Sequence, residues 1–152
     1  MALALKKYID LPVFLLANIA VDLEVLAADK WPVHQHWHFH TLLIGVPLGV
    51  VLAVAMYPLR HLFEKAMKLL GLAYKCRFWK MLIAGVLGVW LHVAIDSMYH
   101  WDVQTVWPSN AKPLYRLLSQ SQVKSVCIAC WVAAIVLYLV LVLRKLKKVQ
   151  KS

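Results

Sequence analysis

The chain has 152 residues, of which 62% are hydrophobic and only 16% charged, whereas soluble domains are roughly half apolar and a quarter charged, so a soluble globular protein is excluded. Its formal net charge of +10 would suit a nucleic-acid binder, but the Lys and Arg residues lie in short stretches between or after apolar runs, which reads as membrane topology and headgroup contact. Aromatic residues do not interleave with the basic ones, so no nucleic-acid partner is expected.

No low-complexity linker or internal repeat interrupts the chain, which reads as a single integral membrane domain over 1–152. The first candidate segment, 8–28, contains the run LPVFLLANIAV but also Asp10, Asp22 and Glu24. It is marginal as a lone span and needs protein neighbours to shelter its polar face. Lys6 and Lys7 before it and Val25-Leu26-Ala27 near its end also match a signal peptide with its cleavage site; a retained anchor is the expected reading.

Between 34 and 40 the chain reads His34-Gln-His36-Trp-His38-Phe-His40. If extended, this stretch puts four imidazoles on one face; if 36–40 forms the first turn of the next segment, His36 and His40 alone share a face. Three further stretches meet the span requirement of about 20 mostly apolar residues: 41–59, 81–98 and 125–143. After the first of these, residues 60–75 alternate Leu, Phe and Met with basic residues at helical spacing, as an amphipathic surface helix does. In the last, Cys127 and Cys130 form a CxxC within an apolar run; small packing residues are the expectation, and no redox compartment follows.

Orientation follows from the Lys and Arg count. Residues 60–80 hold six, 144–151 hold five, and Lys6 and Lys7 precede the first segment, whereas the other side receives only Lys30, Lys112, Arg116 and Lys124. The expected fold is therefore all-α: a polytopic four-helix transmembrane bundle with a short inner amphipathic helix and both termini inside. Trp31, Trp37, Trp101 and Trp107 lie beyond the outer segment ends, where aromatic belts form.

This topology gathers six of the seven histidines on the outer side. The strongest pattern is His92-Val-Ala-Ile-Asp96-Ser-Met-Tyr-His100, whose spacing of four places three potential ligands along one helical face. A carboxylate without a partner in hydrocarbon costs several kcal/mol, so Asp96 demands one. The plainer reading is that His92 and Asp96 only pin helices together; a second His cluster on the same side favours a divalent metal site instead. A mixed His and Asp set leans toward zinc, with manganese or iron as alternatives. Asp22, His36, His40, His92, Asp96 and His100 are the candidate ligands, and Glu24 and Asp102 the carboxylates that would accept a proton from water.

Three places in the chain, Ala17-Asn-Ile-Ala-Val-Asp22, His40-Thr41-Leu42 and His92-x-x-x-Asp96 followed by Ser97 and Tyr99-His100-Trp101-Asp102, resemble a family of small bacterial inner-membrane proteins described as membrane-bound metal-dependent hydrolases, LexA-regulated in some organisms. The family usually has Pro before its first Asp, where this chain has Val21, and an HR pair ahead of its THS, where this chain has the alternating His run. The resemblance implies a multi-pass protein of the bacterial inner membrane, with cytoplasmic termini, that hydrolyses an ester or phosphoester. A site at headgroup level implies a lipid or lipid-linked substrate on the outer face. The rival expectations are a non-catalytic subunit of a membrane complex holding a structural metal, and an electron-transfer subunit with haem between His40 and His92. Membrane lipids are the expected partners, with a membrane-protein partner or a homo-oligomer left open.

Overall fold

A computed structural model describes residues 8–28, 39–72 and 74–149. All regular structure in these residues is helical: α1 (Leu11–Ala28), α2 (Leu42–Met56), α3 (Arg60–Leu69), α4 (Phe78–Asp96) and α5 (Gln120–Val149), with a 3-10 turn at Tyr57–Leu59 joining α2 to α3. Among the described residues three helical runs are long and apolar enough to cross a membrane: Leu42–Leu69, Phe78–Asp96 and Gln120–Arg144. The all-α membrane fold expected from hydropathy is the fold observed. His34, His36 and His38, together with Trp31, Trp37, Lys6, Lys7 and Lys30, lie outside the described residues.

Helix α1 begins where Asp10 caps it. Asp10 Oδ1 accepts the Val13 N–H at 3.1 Å, and Pro12 occupies a first-turn position where a missing N–H costs nothing. The buried residues Val13, Ala17, Ala20 and Val21 recur at the helical period and form one stripe. On α4 the buried set is Met81, Ala84, Gly85, Gly88, Val89, Val93 and Asp96, broad enough to serve two neighbours. Helix α4 accordingly packs against α1 on one side and α2 on the other.

Small residues decide how closely these helices approach. The buried face of α2 is Gly45, Gly49 and Ala53, and a Cβ on Gly49 would lie 2.6 Å from the backbone carbon of Gly85. Backbones in this contact leave no room for even a methyl group. Gly88 does the same toward α1, where an added Cβ would meet the Ala17 methyl at 2.7 Å. Without a hydrophobic drive between helices in lipid, such close packing supplies the association.

The amphipathic helix after α2 is present but ends at Leu69, short of the expected boundary at residue 75. Gly71 adopts φ 70, its N–H returns to Lys68 O at 2.9 Å and the Leu72 N–H to Met67 O at 2.9 Å. This is a Schellman closure, which a left-handed glycine makes inexpensive. At the far end of the chain, the spanning window of α5 has no residue buried against the rest of the protein. A hydrogen bond from the Tyr138 hydroxyl to Leu70 O at 3.0 Å ties α5 to the chain just beyond α3.

The segment 97–119 folds back over one end of the three-helix core. Val103 is 1% exposed and joins the cluster of Ala17, Val21, Val89 and Val93. Thr105 O accepts the Leu42 N–H at 3.0 Å, and the Arg116 N–H reaches Met98 O at 2.9 Å. This end carries Asp22, Glu24, His40, His92 and Asp96.

Candidate metal centre

Asp22 projects from α1, His40 from the turn before α2, and His92 and Asp96 from the last turns of α4. One ligand atom from each of the four lies within 4.8 Å of every other. His92 Nε2 is 3.1 Å from Asp22 Oδ1 and 3.1 Å from Asp96 Oδ2. His40 Nε2 is 3.7 Å from Asp96 Oδ2 and 4.0 Å from Asp22 Oδ1. The two imidazole rings meet edge to face, with centroids 5.5 Å apart.

Local structure explains each placement. Thr41 is the N-cap of α2, extended at φ −127 and ψ 146, with its hydroxyl accepting the Ile44 N–H at 3.1 Å. The helix therefore starts after His40; His36 lies outside the described residues. His40 is fully buried. Trp90 Nε1 donates to Leu42 O at 2.9 Å, fastening the start of α2 to α4. Asp96 follows His92 by one turn, so the two side chains point the same way.

Glu24 sits behind His40. Its Oε2 accepts the Phe39 N–H at 2.9 Å and lies 3.1 Å from His40 Nδ1. Tyr99 donates its hydroxyl to Asp96 Oδ1 at 3.1 Å. Burial, then the charge of Asp96, pushes the Tyr99 phenol up to about 12, so it remains a donor at neutral pH. The Tyr99 contact was not anticipated, although its i, i+3 spacing from Asp96 is a visible signal. His100 is not among the four converging residues; its ring lies 4.2 Å from that of Tyr99. Asp102 is half-buried in the segment after α4 and is likewise outside the four.

The donor set can hold a metal ion. Tetrahedral bonds of about 2.0–2.1 Å separate ligand atoms by about 3.3 Å, close to the distances that link His92 to both carboxylates. Those two contacts lack hydrogen-bond geometry at His92 Nε2, although the atoms are near enough. Among the described residues, neither Asp22 nor Asp96 forms an ion pair with Lys or Arg. Two carboxylates beside the carbonyl end of α4 would otherwise stand in a field that disfavours them. A cation held between them would offset both charges. Burial is uneven across the set: the His40 side chain is 0% exposed and that of Asp22 52%, so the site opens on the Asp22 side.

Comparison with protein-family models, curated proteins and solved structures found no significant match.

Proposed function

We propose that this protein is a membrane-embedded metal-dependent hydrolase of the bacterial inner membrane, acting on a lipid or lipid-linked ester or phosphoester at the outer face. The observation that carries the reading is the convergence of Asp22, His40, His92 and Asp96 at one end of the helical core, closed on the His40 side and open at Asp22. A divalent cation held there, zinc first and manganese or iron next, would bring the pKa of a water to about 7 and polarise the scissile group.

The chain's own residues divide the remaining work. His40, His92 and Asp96 hold the buried side of the site, and half-exposed Asp22 faces the direction from which substrate would enter. Glu24 already accepts from Phe39 and contacts His40, so it serves His40 rather than a water. Asp102, half-buried in the segment after α4, is the other carboxylate proposed to accept a proton. Trp101, 61% exposed, and Trp107, 41% exposed, suit contact with the headgroup region.

One observation favours a second reading. Four protein ligands can saturate a tetrahedral ion, as in structural zinc sites, and the protein would then be a non-catalytic membrane subunit. Haem between His40 and His92 is less well supported, because carboxylate oxygens 3.1 Å from His92 Nε2 stand where a porphyrin would lie.

Elemental analysis of the full chain purified in detergent separates these readings. Stoichiometric zinc, manganese or iron in wild type, lost in the His92→Ala/Asp96→Ala double variant, supports the metal site. Turnover of a lipid and phosphoester panel that vanishes in the same variant supports the hydrolase. Metal without turnover leaves the structural role, and absence of first-row metal, or content unchanged in the variant, overturns both.

A further inference from the structure

We infer that Glu24 and Tyr99 are positioning residues that determine which atom of His40 and which oxygen of Asp96 face the site. A carboxylate carries only acceptors. With Glu24 Oε2 3.1 Å from His40 Nδ1, the proton of the neutral imidazole resides on Nδ1. Nε2 then presents its lone pair toward Asp22 Oδ1 and Asp96 Oδ2. The Phe39 N–H, bound to the same Glu24 oxygen at 2.9 Å, holds that carboxylate in place. The residue before His40 thereby helps to set the tautomer of His40.

Tyr99 acts on the opposite wall. Its hydroxyl occupies Asp96 Oδ1 at 3.1 Å, which leaves Oδ2, the oxygen 3.1 Å from His92 Nε2, to face inward. Asp96 is thus presented through one oxygen. The two positioning residues come from α1 and from the segment after α4, so each ligand is held from outside the element that carries it. Hydrogen-bonding partners behind a ligand fix its orientation and raise its basicity.

The tautomer part stands on the geometry alone, whereas the affinity part rests on the metal reading. Two measurements on the full chain in detergent keep them separate. In metal-free protein, 15N NMR of the histidine rings, assigned with His40→Ala, should show His40 protonated at Nδ1 in wild type and Glu24→Gln but shifted toward Nε2 in Glu24→Ala. Competition of zinc against a chelator should show affinity falling about 10–100-fold in Glu24→Ala and in Tyr99→Phe, with Glu24→Gln falling less.

His40 protonated at Nε2 in wild type, or a tautomer insensitive to Glu24→Ala, overturns the inference for Glu24. Zinc affinity in Tyr99→Phe within about twofold of wild type, well below that range, overturns it for Tyr99. Should wild type take up no zinc, the proposed function and the Tyr99 arm fail while the NMR result still decides for Glu24. Should Glu24→Ala fail to fold, loss of the Nδ1 proton in Glu24→Gln overturns the Glu24 arm and its retention supports it.

Discussion

Gly49 of α2 and Gly85 of α4 meet backbone to backbone, so closely that a Cβ on Gly49 would lie 2.6 Å from the Gly85 carbonyl carbon. No flexible side chain is available to yield. Gly49→Ala should therefore force the two helices apart, at a cost of about 1–3 kcal/mol, read as a lower midpoint of thermal unfolding in detergent. Because His40 precedes α2 and His92 belongs to α4, the same variant should also weaken metal uptake. A stability loss with unchanged metal affinity would show that the site tolerates helix separation.

Asp10, at the start of α1, and Asp22, in its second half, are carboxylates about 18 Å apart along the axis at 1.5 Å per residue. Asp10 caps α1 and accepts the Tyr74 hydroxyl. Asp10→Ala should destabilise by about 1–3 kcal/mol, from the lost cap and the stranded hydroxyl, and leave metal content intact. Asp22→Ala should do the reverse: unfolding in the presence of chelator should match wild type, while metal content falls.

Alkaline titration should expose the two half-buried phenols. Burial is the first cause that raises Tyr99, to about 12, and burial with the Asp10 hydrogen bond raises Tyr74. Each folded-state value lies above the unfolded value of about 10, so the linked stability is fully present below pH 10 and is lost as pH rises through the folded values. Absorbance of the tyrosinate at high pH should show a late-ionising component that shrinks in Tyr99→Phe. An unaltered titration curve would contradict the sheltered, Asp96-bound position of that phenol.

Ion capture should be visible as stability. A ligand that binds only the folded state at a thousand times its dissociation constant adds about 4 kcal/mol. Stripping purified wild type with a chelator should lower the unfolding midpoint, and zinc should restore it. His92→Ala should lack the zinc-dependent increment even where its metal-free midpoint equals that of wild type.

Much of this architecture is legible in the primary structure, because spans announce themselves by length and composition and His92 and Asp96 share a face by spacing alone. Other features depend on contacts that no local pattern carries. The amphipathic helix stops at Leu69 because Gly71 turns left-handed, whereas hydrophobic alternation continues past it. Glu24 reads as a proton acceptor for water until the backbone at Phe39 returns to it across fifteen residues. His100 has ligand spacing relative to Asp96, yet α4 ends at Asp96 and the His100 ring lies 4.2 Å from that of Tyr99, outside the four converging residues. That the spanning window of α5 is left uncovered by the rest of the protein is equally invisible in its hydropathy, since lipid and protein interior both accept the same apolar side chains.

The four converging residues are also ordered in time. Asp22 and His40 leave the ribosome well before His92 and Asp96, so during synthesis the first pair stands beside a helix that still lacks its neighbour. The second pair arrives only with the final turns of α4, the helix that packs between α1 and α2. A metal ion at the proposed site could therefore be gripped by all four only after α4 has docked, which would make ion retention a report on completed assembly of the membrane core.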